Sequence, residues 1–365
     1  MKVFLAGTSF LPAYGGPAYS VSRLAVALAR CGVQVGLWAA DQSGPVTPLL
    51  QDDSGFQHLS GSVDQALETF GAADVIHDNG IWMPHNHQLA KEATRSGVAR
   101  LVSTRGMLEP WAIGHKRLKK RLAWMMYQQR DLEGADGLHA TADSESASIA
   151  RLALGVPIHV IPNGVDMPEI SGFSRNVRGG TESSVRTALF LGRIYPVKGL
   201  PMLVEAWARV RPVGWRLLIA GPDEGDHKTV VERAVSAAGL GEVVSFVGPV
   251  HGEVKRAALL NADVFVLPTY SESFGMAIAE ALAHGLPVLT TTGAPWAQLP
   301  IRGCGWQVDP TVEGVEDGLR RATSMTACDL AAMGERGREF VRVEFGWDQA
   351  ARRMAALYSE LQTRN

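Results

Sequence analysis

Short apolar runs alternate along the chain with longer segments whose apolar residues recur at helical spacing. In the first half, the runs predict strands at Val3–Ala6, Val33–Ala39, Asp74–His77, Arg100–Thr104, Gly137–Thr141 and His159–Ile161. Helical spacing occurs between them, at Ser20–Ala29 and Gln88–Thr94. This alternation is typical of βα units that wind a parallel sheet, and such sheets bind ligands at the carboxyl ends of their strands.

Residues 169–187 lose this periodicity and are rich in glycine, serine and charge, so they form the predicted linker. The pattern then restarts, and strands are predicted at Ala188–Leu191, Trp215–Ala220, Val243–Val247, Asp263–Leu267 and Pro287–Thr291. A length of 365 residues favours two domains. We therefore predict an α/β protein with two doubly wound, Rossmann-like domains, residues 1–168 and 188–346. A last helix, Trp347–Leu361 within residues 347–365, is expected to pack back on the first domain.

Composition narrows the class of protein. Lys and Arg number 35 against 37 Asp and Glu, so no field of the whole chain favours nucleic acid. The three cysteines lack C-x-x-C spacing and, being odd in number, argue against a disulfide framework. The first apolar run is too short for a signal peptide, and no run of eighteen apolar residues occurs. We expect a cytoplasmic protein.

The most informative segment is Ser271–Pro287, which holds two carboxylates eight positions apart. Glu272 precedes a predicted helix start, and Glu280 lies inside that helix among residues that are otherwise apolar. Two interpretations remain open for Glu280. Its carboxylate faces solvent, or it has a polar partner that is distant in sequence, such as a ligand hydroxyl, because an unpaired charge among apolar groups is costly.

Two glycine-containing turns follow predicted first strands. Gly15 and Gly16 let the backbone approach a ligand, and the helix start after them offers amides to an anion, although a tight turn alone needs glycines. In the second domain, Arg193 and Lys198 lie five positions apart after a strand and suit a diphosphate, although an ordinary solvated loop has the same composition.

Taken together, these motifs resemble the retaining glycosyltransferases of family 4, over essentially the whole length. The resemblance rests on Gly15-Gly16, on Ile161-Pro162-Asn163-Gly164-Val165-Asp166, on Gly192-Arg193 with Lys198-Gly199, and on the E-x7-E signature from Glu272 to Glu280. It implies the GT-B fold, in which two Rossmann-like domains face a central cleft, with the first binding the acceptor and the second the nucleotide sugar.

The resemblance also implies roles for individual residues. Arg193 and Lys198 would hold the nucleotide diphosphate, Glu280 the ribose hydroxyls and Glu272 the hydroxyls of the donor sugar, and we expect Glu272, Arg193 and Lys198 to be catalytic. The leaving phosphate oxygen would itself take the proton of the acceptor. The full expected donor site comprises Gly16, Arg193, Lys198, Val250 in the base-contacting loop, Glu272, Ser273, Phe274, Gly275 and Glu280.

Residues near the sugar or acceptor are expected at Gly15, Asn79, Arg105 and Asn163. Family members often carry a histidine where this chain has Arg105, so the resemblance does not transfer the role of that histidine to residue 105, and His77, His85 and His87 are the alternative candidates for it. We expect no cofactor and no metal, because no two aspartates form a D-x-D pair and His and Cys lack zinc spacing. The nucleotide sugar is a substrate.

Residues 116–127 form a basic helix in which Leu118, Leu122, Met125 and Met126 share one face. Two interpretations remain open: contact with anionic lipid at the inner face of the plasma membrane or with an acidic acceptor, and a core-facing helix with a solvated basic rim.

The predicted function is transfer of a hexose to a saccharide or lipid-linked saccharide in polysaccharide biosynthesis. A UDP-sugar donor is favoured and a GDP-sugar is second. The alternatives are a nucleotide-sugar 2-epimerase of the same fold and a non-catalytic nucleotide-sugar-binding protein.

Overall fold

The computed structural model describes residues 1–11, 14–44, 56–114, 117–169 and 185–364. These residues divide into two compact units, the first formed by Met1–Gly164 with Phe345–Asn365 and the second by Val165–Glu344. Of the predicted linker 169–187, residues 170–184 lie outside the described part, and Arg186 and Thr187 already belong to a strand.

The first unit contains a seven-stranded parallel sheet in the order β3-β2-β1-β4-β5-β6-β7. Its strands are β1 Lys2–Gly7, β2 Gln34–Ala39, β3 Phe56–Leu59, β4 Val75–Asn79, β5 Ala99–Ser103, β6 Gly137–Ala140 and β7 Ile158–Val160. Its helices are α1 Gly16–Arg30, α2 Val63–Phe70, α3 Pro84–Ser96, α4 Pro110–Gly114, α5 Arg117–Ala123, α6 Gln129–Glu133 and α7 Asp143–Ala150, with a π-helical turn at Trp124–Gln128.

The second unit contains a six-stranded parallel sheet in the order β10-β9-β8-β11-β12-β13. Its strands are β8 Arg186–Leu191, β9 Trp215–Ala220, β10 Val244–Gly248, β11 Val264–Leu267, β12 Val288–Thr291 and β13 Gly305–Val308. Its helices are α8 Leu200–Val210, α9 His227–Ala237, α10 Gly252–Asn261, α11 Met276–Ala283, α12 Gln298–Ile301, α13 Val312–Ser324 and α14 Ala327–Glu344, with a 3-10 turn at Pro196–Lys198.

Helices cover both faces of the first sheet, which explains its nearly continuous apolar strands. In β1, Val3 and Leu5 pack into a cluster with α1, whereas Phe4 and Ala6 pack into a second cluster with α2 and α3. Successive side chains of a strand point to opposite faces, so one apolar run supplies both clusters. The expectation of two doubly wound sheets is confirmed.

The helix α15, Trp347–Arg364, belongs to the first unit. Met354, Leu357, Tyr358 and Leu361 are buried in the cluster formed by β1 and α1. A Cβ atom at Gly164 would lie 2.3 Å from the Trp347 ring, so the chain passes the start of α15 where only glycine fits.

Candidate functional site

Two loops meet at the carboxyl edge of the second sheet, where the strand order reverses between β8 and β11. In open α/β sheets this switch point is where ligands bind. The Tyr270 amide donates to the Val197 carbonyl at 2.7 Å, and the Thr269 hydroxyl donates to the same oxygen at 3.0 Å. These bonds join the loop after β8, which carries Arg193 and Lys198, to the loop after β11, which carries Glu272.

Gly199 allows these loops to approach each other. Its φ is +67°, and a Cβ atom there would lie 2.0 Å from the Pro268 carbonyl oxygen. A side chain at residue 199 would therefore clash with the backbone and strain the left-handed conformation. The glycine next to Lys198 thus fixes the spacing between the lysine and the loop of Glu272.

Lys198 and Glu272 form an ion pair between Nζ and Oε1. Their side chains are only 14% and 12% exposed. Because desolvation is costly for each charge alone, neither residue can be removed without leaving an unpaired, nearly buried charge. Two predicted site residues are thus in direct contact.

Arg193 pairs with Glu224, a residue that the sequence analysis did not single out. Both side chains are more than a third exposed. The Ile194 amide donates to the Pro222 carbonyl at 2.8 Å, and the Glu224 amide donates to the Ile194 carbonyl at 3.2 Å. These backbone bonds hold the loop after β9 beside Arg193. The Gly-Pro-Asp-Glu-Gly run that follows β9 was the available signal for Glu224.

Glu280 does have a polar partner distant in sequence, but it is a protein side chain. Lys255 of α10 donates from Nζ to the Glu280 carboxylate at 2.7 Å. The solvent-facing interpretation is wrong, since Glu280 is mostly buried. Lys255 is not among the predicted site residues, and its only signal in the sequence is a cation on the helix that follows the predicted base-contacting loop.

The other donor residues predicted in the second unit lie in the segments that follow β10 and β11. Gly275, with a φ of +82°, caps the start of α11, and the adjacent Phe274 is buried with its carbonyl accepting from the Trp296 indole at 2.6 Å. Ser273 precedes them in the same loop. Val250 is buried in the turn between β10 and α10.

In the first unit, Gly15 has a φ of +85° and caps α1, whose first residue is Gly16.

Three residues predicted near the sugar or acceptor are in contact in the first unit. Arg105 donates from Nε to Asn79 Oδ1 at 3.1 Å and from Nη1 to Asn163 Oδ1 at 3.0 Å. Burial lowers the pKa of Arg105 to about 10, so the guanidinium remains charged at neutral pH. Its φ is +51°, and the buried Glu145 carboxylate accepts bonds from Thr104 and Gly106 on either side.

A chain of buried polar groups connects α15 to the sheet. Tyr358 lies 2.6 Å from His77 Nδ1, His77 Nε2 lies 2.7 Å from Ser103, Ser103 lies 2.6 Å from His139 Nδ1, and His139 Nε2 lies 2.8 Å from the Ile161 carbonyl oxygen. A carbonyl oxygen only accepts, so His139 must donate to it. We name this set the histidine chain.

That single acceptor fixes the direction of every bond in the histidine chain. His139 Nδ1 then accepts from Ser103, Ser103 accepts from His77 Nε2, and His77 Nδ1 accepts from the Tyr358 hydroxyl. Both histidines are neutral, and burial lowers the pKa of His139 to about 3 and that of His77 well below its usual value. Since both of its nitrogens are engaged, His77 does not substitute for the family histidine.

The other two candidate histidines also have different roles. Burial lowers the pKa of His85 to about 4, and its ring packs edge-on against Trp38. His87 Nδ1 lies 2.9 Å from the Asp131 carboxylate. Neither contacts Arg105 through any hydrogen bond found in the described chain.

Asp78 lies on the face of β4 opposite His77 and is fully buried. Its Oδ1 accepts from Asn86 at 2.7 Å, whereas its Oδ2 has no hydrogen-bond partner among the described residues. Burial raises the pKa of Asp78 to about 7, against the opposing effect of the nearby Arg100 charge.

Two kinds of feature are absent from the described residues, a metal-binding cluster and a membrane-spanning helix. No group of three or more His, Cys, Asp or Glu side chains has the arrangement to hold a metal ion. None of the described helices combines the length and the apolar character that crossing a membrane requires.

Two family models match the chain. The Glycosyl transferase 4-like domain matches residues 15–164, and the family described as Glycosyl transferases group 1 matches residues 185–322. The chain belongs to the family 4 glycosyltransferases. The resemblance drawn from the glycine turns and the glutamate pair is confirmed at the level of family and GT-B fold.

Two proteins of similar sequence carry the names of sugar transferases. D-inositol 3-phosphate glycosyltransferase 2 of Catenulispora acidiphila is 26% identical to this glycosyltransferase over 392 residues, covering 94% of the chain and 90% of the relative. GDP-mannose:cellobiosyl-diphosphopolyprenol alpha-mannosyltransferase of Xanthomonas oryzae pv. oryzae is 28% identical over 236 residues, covering 64% and 60%.

A solved structure shows the same fold. Anabaena Alr3699/HepE, in complex with UDP and glucose, matches with a TM-score of 0.76 at 18% identity, covering 99% of this chain and 100% of that one.

Proposed function

We propose that this glycosyltransferase moves a hexose from a nucleotide diphosphate sugar to a hydroxyl of a saccharide or glycolipid acceptor, with retention of anomeric configuration and without a metal. The reaction would serve polysaccharide biosynthesis. The observation that carries the proposal is the nearly buried Lys198–Glu272 pair between the two loops at the switch point. It puts a cation that suits a diphosphate in contact with a carboxylate that suits sugar hydroxyls.

Charge balance indicates how the donor enters. Arg193, Lys198 and Lys255 are each paired with a glutamate, so these six side chains are together neutral. A diphosphate therefore has to replace a carboxylate. Arg193–Glu224 is the most exposed pair and exchanges its partner at the lowest cost, since exposed ion pairs are worth only about 0–1 kcal/mol.

Lys198 would then stabilise the charge that develops on the leaving diphosphate. Its position is fixed before binding by Gly199 and Glu272, so little reorganisation accompanies the reaction. The leaving phosphate oxygen takes the proton of the acceptor hydroxyl, and the protein orients the groups and stabilises negative charge. Glu272 accepts hydrogen bonds from the sugar. Glu280 accepts from the ribose, exchanging or sharing its bond from Lys255.

Arg105 is proposed to contact the acceptor or the transferred sugar. Its guanidinium is held by two neutral amide oxygens, Asn79 Oδ1 and Asn163 Oδ1, so its charge is not neutralised by a directly bonded carboxylate within the described chain. Such a group suits a sugar hydroxyl or an anionic acceptor. The name of the Catenulispora relative, which specifies an inositol phosphate, supports the anionic class.

UDP-sugars are the first donors to test and GDP-sugars the second. The Anabaena structure contains UDP and glucose, whereas the Xanthomonas relative is named for GDP-mannose. A thermal-unfolding screen with UDP-glucose, other UDP-sugars and GDP-mannose, in the presence of a chelator, tests the proposal. A donor at 100 times its Kd should raise the free energy of unfolding by about 2.7 kcal/mol.

Lys198→Ala should abolish that shift, whereas the matched variant Arg320→Ala should keep it, because Arg320 pairs with Glu316 on the exposed face of α13. A chain that no donor stabilises, or a shift that requires added divalent metal, contradicts the proposal. Product analysis by NMR separates the alternatives. A 2-epimerase releases an altered nucleotide sugar without acceptor, a sensor leaves the donor intact, and a retaining transferase gives an α-linked product from an α-linked donor.

A further inference from the structure

An exposed apolar stripe lies on the surface of the first unit. Leu118, Leu122, Met125 and Met126 expose 84%, 56%, 69% and 66% of their surface. They lie on α5 and the π-helical turn that follows it, and together with the basic side chains between them, residues 117–126 form what we name the basic apolar surface. Its apolar face does not pack on the core, so the core-facing interpretation of this helix is wrong.

The opposite side of this segment is firmly attached. Gln128 is buried and its Oε1 accepts from the Trp82 amide at 2.7 Å, while the Tyr127 hydroxyl donates to the Trp82 carbonyl at 2.9 Å. Leu132 of α6 is buried in the neighbouring core cluster. The π-helical turn Trp124–Gln128 contains both kinds of residue, the exposed Met125 and Met126 and the attached Tyr127 and Gln128. The exposed apolar stripe therefore lies on a segment that is anchored to the first unit.

The charge of the segment has one sign. Arg117, Lys119, Lys120, Arg121 and Arg130 are basic, and residues 117–130 contain no acidic side chain. Arg117, Lys119 and Arg121 are exposed beside the apolar stripe. Lys120 is partly buried and donates to the Ala112 carbonyl at 2.6 Å, so it holds α5 to α4.

We propose that the basic apolar surface docks this protein on an anionic lipid bilayer. The leucine and methionine side chains insert among the headgroups, and the exposed basic side chains pair with lipid phosphates. An interfacial helix combines these two features, an apolar face and flanking Lys and Arg. A second copy of this chain is disfavoured as the occupant, because a symmetric contact would bring two all-basic segments together. This inference goes beyond the proposed transfer reaction.

Flotation of the full chain with vesicles tests the proposal. We expect binding to vesicles of phosphatidylcholine with phosphatidylglycerol, no binding to phosphatidylcholine alone, and weaker binding as salt rises. Lys119→Gln with Arg121→Gln should weaken binding about 25-fold, because each basic side chain near an anionic surface contributes about fivefold. Leu122→Gln with Met125→Gln should weaken it at least about tenfold, since apolar insertion is lost.

Ile301→Gln and Arg342→Gln are matched controls, because both residues are exposed on the second unit, and they should bind as the wild type does. Equal binding to both vesicle types, or unchanged flotation of the Leu122 and Met125 double variant, would overturn the proposal. So would light scattering that shows a dimer which the same double variant dissociates, because a second copy then covers the stripe. The donor-induced thermal shift of these variants is measured in parallel and is expected to equal that of the wild type, so failure of docking leaves the transfer reaction untouched.

Discussion

The carboxyl edges of the two sheets are built from different kinds of interaction. In the second unit, Arg193, Lys198 and Lys255 are each paired with a glutamate side chain, and these pairs range from nearly buried to half exposed. In the first unit, Arg105 is buried and hydrogen-bonded to neutral amides, above all Asn79.

The difference determines what each edge can do. An ion pair can exchange one anionic partner for another, as the proposed uptake of a diphosphate at the second edge requires. In the histidine chain of the first unit, by contrast, every donor already has its acceptor, so this buried network fixes geometry instead. We therefore expect substitutions at the second edge to reduce turnover and substitutions in the histidine chain of the first unit to reduce stability.

The largest effect is expected for Lys198→Ala. Loss of one preorganised group that stabilises transition-state charge typically lowers kcat by about 10²–10³-fold, and steady-state kinetics with a saturating nucleotide sugar measure it. Arg193→Ala should lower kcat by at least about 10²-fold. Arg320→Ala should retain wild-type kcat. Turnover within about threefold of the wild type in either site variant would remove Arg193 or Lys198 from the reaction.

The next effect is a change in how stability depends on pH. The pKa of Asp78 is raised by burial to about 7, so its protonated form stabilises the fold below its unfolded-state value near 3.8, and this stability is lost as pH rises to about 7. An asparagine at position 78 cannot ionise, so the Asp78→Asn variant should not lose this stability as pH rises. Relative to the wild type, the variant should gain on the order of 4 kcal/mol in free energy of unfolding across that window.

The histidine chain has the opposite dependence. The pKa of His139 is lowered to about 3, so its contribution is present above about 6.5 and is lost as pH falls. In the wild type, the stability lost through Asp78 as pH rises therefore opposes the stability gained through His139. Asp78→Asn should therefore steepen the rise of stability with pH, as measured by denaturant unfolding at a series of pH values. A parallel pair of curves for the variant and the wild type would contradict the assigned ionisation.

The smallest effect is expected for Tyr358→Phe. The variant keeps the buried ring but leaves His77 Nδ1 without its donor, which should cost about 1–3 kcal/mol in free energy of unfolding. Thermal unfolding measures the loss. The donor-induced shift and the kcat should stay at their wild-type values. A drop in either would show that the histidine chain also contributes to donor binding or turnover.

Much of the fold could be read from periodicity because most strands are buried on both faces. The sequence missed β3 and β13, which are four-residue strands at the edge of their sheets. In β3 the residues Gln57 and His58 are exposed, so no apolar run marks it. β13 is mostly buried, but its four residues begin with a glycine and include Gln307, so its sequence contains no apolar run either.

The site could be predicted in part because its key residues follow strands that neighbour each other in a parallel sheet. Lys198 and Glu272 are 74 residues apart, yet their loops come from β8 and β11, which are adjacent. Glu224 follows β9, which is adjacent to β8, so the same reasoning could have found it. Lys255 could not be found this way, because it lies on α10 and its contact with Glu280 depends on how α10 is placed beside α11.

The return of α15 to the first unit gives the chain a particular order of assembly. Residues 1–164 are synthesised before the second unit, yet the face of their sheet that carries Val3, Leu5 and α1 is completed only by Met354, Leu357 and Tyr358. In folding terms the second unit is an insertion into the first. During synthesis the earlier part therefore carries an uncovered apolar face, and the histidine chain lacks its terminal hydroxyl, until residues 345–364 have left the ribosome.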